Sequence, residues 1–310
     1  MRLEGLHHIT AITADAPRNV DFYARVLGLR LIKKTVNFDA PEVHHLYYGD
    51  EAGSPGSVLT FFEFPDAAPG QAGAGMVHRI LWRVRGEESL EFWAEHLAGE
   101  GVPCERTSSA LRFRDFEGLE YELAASGTGG EQAELAAESA EIPSEHAILG
   151  FEGVRAYSAA PERGAALLTE ALEFEPSGSG DRFQVQSNDR SAVYAYDPPP
   201  PERPVQGAGT VHHVAWASHD EDHEEWRRRV DAAGAHPTPV IDRDYFLSIY
   251  FREPSGVLFE IATMSPGFAV DEPPENLGQS LMLPAQHEPR RAELERTLTP
   301  IVNPRAPSAS

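Results

Sequence analysis

The chain has 310 residues, enough for two domains of ordinary size with an ample core, and 41% of them are hydrophobic. Its 49 acidic residues against 26 basic ones give a formal net charge of -23, which repels nucleic acid and anionic membranes and excludes both as partners. Cys104 is the single cysteine, so no internal disulfide forms, and the absence of a signal peptide or a run of about 18 apolar residues points to the cytoplasm. Lys33 and Lys34 are the only lysines, the other basic residues being arginines. That bias with the acidic load is similar to proteins of salt-accumulating halophiles, although a GC-rich genome accounts equally well for the arginines.

The chain reads as four successive units, each a strand, a helix and further strands, which predicts an α+β fold of four βαβββ units. Unit one opens with a strand over 3–10 and a helix over 16–27. Asp15 caps that helix, Pro17 suits its first turn, Val20, Tyr23, Ala24 and Leu27 form its apolar stripe, and Gly28 ends it. Strands follow over 46–48 and 58–64. Unit two has a strand over 76–84, a helix over 88–98 with Leu90, Trp93, Ala94 and Leu97 on one face, and a closing strand over 118–123. Residues 125–144, rich in Gly, Ala, Ser and Glu, offer little to bury and read as a linker. Unit three has a helix over 161–172 and a strand over 192–196, followed by a connector at the proline run 198–201. Unit four has strands over 211–217, 246–252 and 257–263 and a helix over 221–233 ended by Gly234. Beyond Pro273 the chain reads as a packing tail with a short helix over 290–297 and a frayed end. The expected division is two units in 1–125, a linker in 126–144, two units in 145–275 and a tail in 276–310.

One carboxylate stands out. In the strand Gly256-Val257-Leu258-Phe259-Glu260-Ile261, alternation sends Val257, Phe259 and Ile261 to one face and Leu258, Glu260 and Ala262 to the other. A Glu inside an apolar strand has to be exposed, hydrogen-bonded, paired with a cation or bound to a metal, because an uncompensated buried charge costs several kcal/mol. The segment Leu6-His7-His8-Ile9-Thr10 repeats the pattern of Val211-His212-His213-Val214-Ala215, placing His8 opposite His213. A single His-His pair is weak evidence, but its recurrence in a repeat, with a Glu closing the unit, makes His8, His213 and Glu260 a 2-His-1-carboxylate set. Such a set suits Fe(II) and leaves coordination positions open, with Mn(II) as the alternative ion. The other units act as a control. Arg79 takes the place of His213 while Glu122 matches Glu260, and aligning Glu152-Gly153-Val154 with Glu4-Gly5-Leu6 sets Ala156 at the place of His8. Glu122 then reads as a solvated or Arg-paired carboxylate, with Arg79 as the candidate partner, in place of a metal ligand. In unit one Thr60 falls opposite Glu260, leaving the fourth corner without a carboxylate. Strand alternation turns His7 and His212 to the face opposite their neighbours. Units one and four are expected to form the metal-bearing cup, and units two and three a degenerate partner.

These residues resemble the vicinal oxygen chelate superfamily, which includes glyoxalase I, bleomycin-binding proteins and extradiol dioxygenases built from paired βαβββ units. The segments LHHIT, VHHVAW, DRDYFLSIYFREPSGVLFEIAT and LGQSLMLP are similar, more narrowly, to those of hydroquinone-cleaving ring dioxygenases. The resemblance implies two glyoxalase-like domains, a resident Fe(II) held by His8, His213 and Glu260, O2 as co-substrate and a small aromatic substrate. It also implies that Tyr250 and Arg243 line the substrate pocket, with Thr10, His7 and His212 as secondary candidates, the histidines acting in catalysis and Thr10 in binding. For Tyr250 the plain alternative is an ordinary sheet tyrosine, and for Arg243 a solvated loop charge. A metal-dependent isomerase or lyase, and a non-catalytic binder of aromatic compounds, are the competing functions. Ring substituents and oligomeric state, including a homo-oligomer, stay open.

Overall fold

The computed structural model describes residues 1–125, 135–178, 180–187 and 190–305. Sixteen strands run in chain order: β1 (Leu6–Thr13), β2 (Arg30–Asn37), β3 (Ala40–Gly49), β4 (Val58–Glu63), β5 (Val77–Val84), β6 (Cys104–Arg106), β7 (Ala110–Arg114), β8 (Glu120–Ala125), β9 (Phe151–Tyr157), β10 (Glu175–Ser177), β11 (Arg182–Gln186), β12 (Ser191–Asp197), β13 (Val211–Ser218), β14 (Ile241–Asp242), β15 (Leu247–Arg252) and β16 (Leu258–Thr263). The α-helices are α1 (Ala16–Val20), α2 (Glu87–Gly99), α3 (His223–Ala232) and α4 (Arg291–Thr297). None of the described helices is long and apolar enough to cross a membrane.

The strands form two eight-stranded mixed sheets, ordered β14-β15-β16-β13-β1-β4-β3-β2 and β10-β11-β12-β9-β5-β8-β7-β6. The first therefore joins unit one to unit four, and the second joins unit two to unit three. In each, an antiparallel central pair, β1 with β13 or β5 with β9, is flanked by strands that run parallel to it. This is the α+β arrangement of four βαβββ units. The helices cover one face of each sheet with apolar stripes, and the four tryptophans Trp82, Trp93, Trp216 and Trp226 are fully buried in the resulting core. Burying large aromatic side chains is the main apolar contribution to such a fold. The opposite face of the first sheet is left to carry the site.

Several local expectations change in detail. Asp15 does cap the first helix, its carboxylate accepting from the Arg18 N–H at 3.0 Å, but the α-helical turns end at Val20 and continue as a π-helix over Asp21–Val26. Unit three repeats the departure, with a 3₁₀ turn at Pro161–Arg163 and a π-helix over Leu167–Ala171 in place of a continuous helix. Residues 126–134 of the expected linker lie outside the described residues. The rest of it is not idle: Ile142 is 4% exposed and belongs to the core beside Gly28, and Leu135 lies against Gly56. The tail and the segment just before it pack along β2 and β3. Lys33, fully buried, holds Asp271 and Glu272 at 2.6 Å each, His287 meets the Phe38 carbonyl at 3.0 Å, and α4 seats Leu294 against Val36. Gly278, with φ +75, comes so close to the Leu31 carbonyl that a Cβ would collide with it.

Candidate metal centre and cavity

Two β-bulges build the centre. Between β1 and β13 the register slips twice, leaving His7 between the pairs Leu6–Trp216 and His8–Ala215, and His212 between the pairs Thr10–His213 and Ala11–Val211. An extra residue in one strand bends it and re-aims its side chains. Regular alternation puts His7 and His212 on the far face, and the bulges overturn that expectation. Nδ1 of His7 lies 2.9 Å from Nδ1 of His8, and Nδ1 of His212 lies 2.8 Å from Nδ1 of His213. His7 also hydrogen-bonds the Thr263 backbone and packs against Phe246, while His212 lines the cavity. His8 donating from Nδ1 to His7, and His213 from Nδ1 to His212, leave both Nε2 atoms as lone-pair donors, the usual way a neighbouring acceptor fixes a ligating imidazole.

Those two Nε2 atoms lie 3.3 Å apart, and Oε2 of Glu260 lies 3.2 Å from that of His8 and 2.9 Å from that of His213. Ligands about 2.1 Å from a divalent ion and at right angles to one another are separated by about 3 Å, so the triangle fits three cis positions of one ion. Ser248 donates to Oε1 of Glu260, whereas the buried Oε2 has no well-aligned hydrogen-bond donor. Among the described residues this is the one cluster of three or more His, Cys, Asp or Glu side chains able to hold a metal. Burial opposes ionisation of Glu260, but the histidines outweigh it and hold the carboxyl well below the usual range. Burial in turn depresses His213, brings His7 down to about 3 and His212 to about 4, so these imidazoles are neutral at neutral pH, as ligation and its support require.

Each remaining site residue has a defined place. Thr10 pairs with Thr60 across β1 and β4, as Ala215 pairs with Glu260 across β13 and β16. Thr60 thus occupies the fourth corner, its hydroxyl 2.8 Å from that of Thr10. Tyr250 pairs with Glu260 across β15 and β16, and Arg243 Nε donates to its hydroxyl at 3.3 Å while Nη1 reaches Asp39 at 3.3 Å. Burial pushes the Tyr250 phenol up, so it stays protonated, and with its oxygen accepting from Arg243 its own O–H is free to donate. These groups open on a cavity of about 480 Å³. Its walls are largely apolar, with Phe38, Phe62, Phe64 and Phe246 set around the polar cluster, which is the composition of a small-molecule site.

Of the cavity residues that the sequence reading does not single out, two carry chemistry of their own. His45 and Tyr47, on β3, are the counterparts of Ser248 and Tyr250: Tyr47 pairs with Thr60 as Tyr250 pairs with Glu260. The signal is present as His45-Leu46-Tyr47 beside Ser248-Ile249-Tyr250, each two strand positions apart.

The second sheet keeps the frame and changes the chemistry. Its central pair carries the same two bulges, at His78 and Glu152, and its register sets Arg79 where His213 stands and Glu122 where Glu260 stands. The place of His8 is taken by Gly153, not Ala156. The glycine matching Gly5 is Gly150, both with positive φ, which moves the alignment by three residues. Glu122 is held by Arg79 at 3.3 Å, as expected, and also by Arg112 at 2.7 Å.

Residues 5–123 and 112–261 match the model of the Glyoxalase/Bleomycin resistance protein/Dioxygenase superfamily. MhqO of Bacillus subtilis (strain 168), provisionally named a ring-cleaving dioxygenase, is 42% identical over 306 residues, covering 96% of each chain. The chlorohydroquinone/hydroquinone 1,2-dioxygenase of Sphingobium indicum is 34% identical over 319 residues, covering 97% of this chain and 98% of that one. A crystal structure from Bacillus subtilis, provisionally titled a dioxygenase, superposes with a TM-score of 0.88 at 40% identity, covering 97% of this chain and 98% of that one. Glyoxalase I from Zea mays shares the fold at a TM-score of 0.56 and 14% identity, covering 84% of this chain and 92% of that one.

Proposed function

This chain belongs to the Glyoxalase/Bleomycin resistance protein/Dioxygenase superfamily, and from that premise we infer that it is a ring-cleaving dioxygenase, Fe(II)-dependent and extradiol in type, acting on a hydroquinone or related phenol. The observation that carries the reading is the convergence of His8 Nε2, His213 Nε2 and Glu260 Oε2 beside a largely apolar cavity whose other polar end is the Arg243–Tyr250 pair. His8, His213 and Glu260 would hold the ion. Bound there, Fe(II) supplies the Lewis acidity and redox capacity that bring a phenol and O2 together.

The chain's own residues do the rest. The phenylalanines around the cavity hold the ring and exclude water. Tyr250 donates a hydrogen bond to a substrate oxygen, and Arg243 fixes the direction of that O–H while adding a positive charge. A hydroquinone carries its hydroxyls on opposite ends, so one reaches the centre and the other needs a second polar contact, for which Thr10 and His212 are placed on the wall. His7 and His212 set the tautomers of the two ligands. Thr60 at the fourth corner has no carboxylate to serve as the base of a glyoxalase-type isomerisation, which argues for the dioxygenase over the isomerase.

The test is metal analysis of anaerobically purified protein followed by oxygen uptake on a panel of hydroquinones and catechols. Iron near one equivalent per chain and oxygen consumed with hydroquinones is the expected result, whereas anaerobic turnover would replace the reading with an isomerase. Tyr250→Phe should keep its iron and lose roughly 10²- to 10⁴-fold in kcat, the range for a lost proton-handling group. A wild-type kcat with iron loaded would return Tyr250 to a sheet-packing role.

A further inference from the structure

The open corner of the centre carries a hydrogen-bonded chain of four groups. Thr10 Oγ1 lies 2.8 Å from Thr60 Oγ1, Thr60 Oγ1 lies 2.9 Å from His45 Nε2, and His45 Nδ1 lies 2.8 Å from the Tyr47 hydroxyl. The two ends, Thr10 and Tyr47, both line the cavity, as does His45 itself. At the mirror-related corner the arrangement is different: Ser248 donates to the anionic Glu260, and that chain can run in one direction only. The chain through His45 has no fixed direction, because hydroxyls donate and accept and a neutral imidazole has one N–H that either nitrogen can carry. With the hydrogen on Nδ1, donation runs from Thr10 through Thr60 to Nε2, and Nδ1 donates to Tyr47. With it on Nε2, every bond reverses. In both settings all internal partners are satisfied and one terminal hydroxyl is left to face the cavity.

Burial and the nearby basic groups hold the His45 imidazole well below its ordinary range, so it is neutral whichever nitrogen is protonated. Burial, and after it the Tyr250 phenol, push the Tyr47 phenol up, which keeps that end a hydroxyl, and both tyrosines line the same cavity. In the second sheet Arg155, Ala195 and Arg182 stand where Thr10, Thr60 and Tyr47 stand, and no such chain exists among the described residues there.

We propose that His45 is a proton-relay residue, carrying a hydrogen between the Thr10 and Tyr47 ends of the cavity by exchanging tautomers. The proposal rests on the dioxygenase reading for its substrate. Insertion of both atoms of O2 into a hydroquinone leaves the hydrogen count unchanged, so a hydrogen given up by a ring hydroxyl at one place has to be returned at another. In the transfer Thr10 takes a hydrogen from the ring hydroxyl and passes its own to Thr60, Thr60 passes one to Nε2, Nδ1 releases one to Tyr47, and Tyr47 delivers one to a substrate-derived oxygen beside Tyr250. Each group gains one hydrogen and gives up one, no electron moves along the chain, and no net charge is left behind. His45 acts through Thr10 and Tyr47, and so positions and supplies protons without touching the ring.

Glutamine separates relay from scaffold. In His45→Gln the amide still donates to Thr60 and accepts from Tyr47, but its donor and acceptor cannot interchange. With hydroquinone as substrate we expect His45→Gln to keep wild-type metal content and a KM within about 3-fold while kcat falls roughly 10- to 100-fold, and His45→Phe to lose at least as much. A wild-type kcat in His45→Gln, whatever His45→Phe does, overturns the relay. Nitrogen-15 spectra of histidine-labelled protein give a readout independent of turnover, with the His45 signals assigned by their loss in His45→Gln. Two exchanging tautomers, seen as shifts intermediate between protonated and bare ring nitrogens, support the relay, and one fixed tautomer rejects it. If the wild-type protein fails to consume oxygen with any hydroquinone, the dioxygenase reading falls, and the nitrogen-15 result alone decides whether the relay stands.

Discussion

The two sheets share strand order, paired bulges and a carboxylate at the same register, yet Glu260 and Glu122 have opposite surroundings. Around Glu260 stand His8, His213, Thr60 and Tyr250, lone-pair donors and hydroxyls that leave an oxygen without a donor. The matching positions around Glu122 are Gly153, Arg79, Ala195 and Arg112, and the two arginines neutralise the carboxylate at once. What the neighbours lack therefore decides what a carboxylate at this register can do: fixed cations satisfy Glu122, whereas neutral imidazoles leave Glu260 able to take a cation. The second sheet extends its solution into a network, in which His78 bridges Asp197 at 2.8 Å and Glu120 at 3.6 Å while Arg155 takes Asp197 and Arg79 takes Glu120.

The comparison breaks most sharply at the ligands. His8→Ala, His213→Ala and Glu260→Gln should each abolish tight metal binding while circular dichroism reports an intact fold, and normal metal content in any one of them would remove that residue from the set. Next comes acid stability, where the second sheet should respond. Arg155 foremost, with His78, holds the Asp197 carboxyl down at about 2, and His78 foremost, with Arg114 and Arg79, holds that of Glu120 there despite burial. Both values lie below those of the unfolded chain, so the stabilisation is complete above about pH 4 to 5 and is lost as pH falls toward 2. Asp197→Asn with Glu120→Gln should flatten the fall in melting temperature over that range, removing about 1–2 kcal/mol per site once solvent screening is allowed for. An unchanged pH profile would show that the network does not carry the acid response. The smallest effect is expected from Glu122→Gln, which should leave metal content and activity untouched and cost about 1 kcal/mol or less, since Arg112 is partly exposed. Loss of a metal equivalent in that variant would erase the distinction between the two sheets.

Much of this contrast is legible in the sequence. A Glu in an apolar strand and a duplicated His-His pair identify His8, His213 and Glu260, and the loss of histidines in units two and three assigns the cup to units one and four. What is hidden has physical causes. Bulges do not show in a pattern of alternation, so His7 and His212 are misdirected until the register is seen. The same insensitivity shifts unit three by three residues and selects Ala156 in place of Gly153. Edge strands such as β2, β6 and β10 carry too short or too mixed a pattern to stand out. His45 and Tyr47 acquire meaning only when β3 is laid beside β15 as its counterpart. Leu135 and Ile142 sit in a stretch whose composition argues against burial, because two apolar side chains are enough to pin a segment that is otherwise polar.

The pairing of the first unit with the fourth also dictates when the site can exist. His8 and His213 are 205 positions apart along the chain, and β16 is later still. A ribosome has released the first strand long before its partners emerge, and loop closure over such a span is slow compared with the local pairings inside each unit. During that interval β1 offers one edge without its partner, and the second sheet, complete once β12 has emerged, is the earlier of the two to be able to close. The cluster of His8, His213 and Glu260 is thus a property of the finished chain alone. An ion held by His8, His213 and Glu260 could not template the early steps of folding, because two of those three residues have not yet been synthesised.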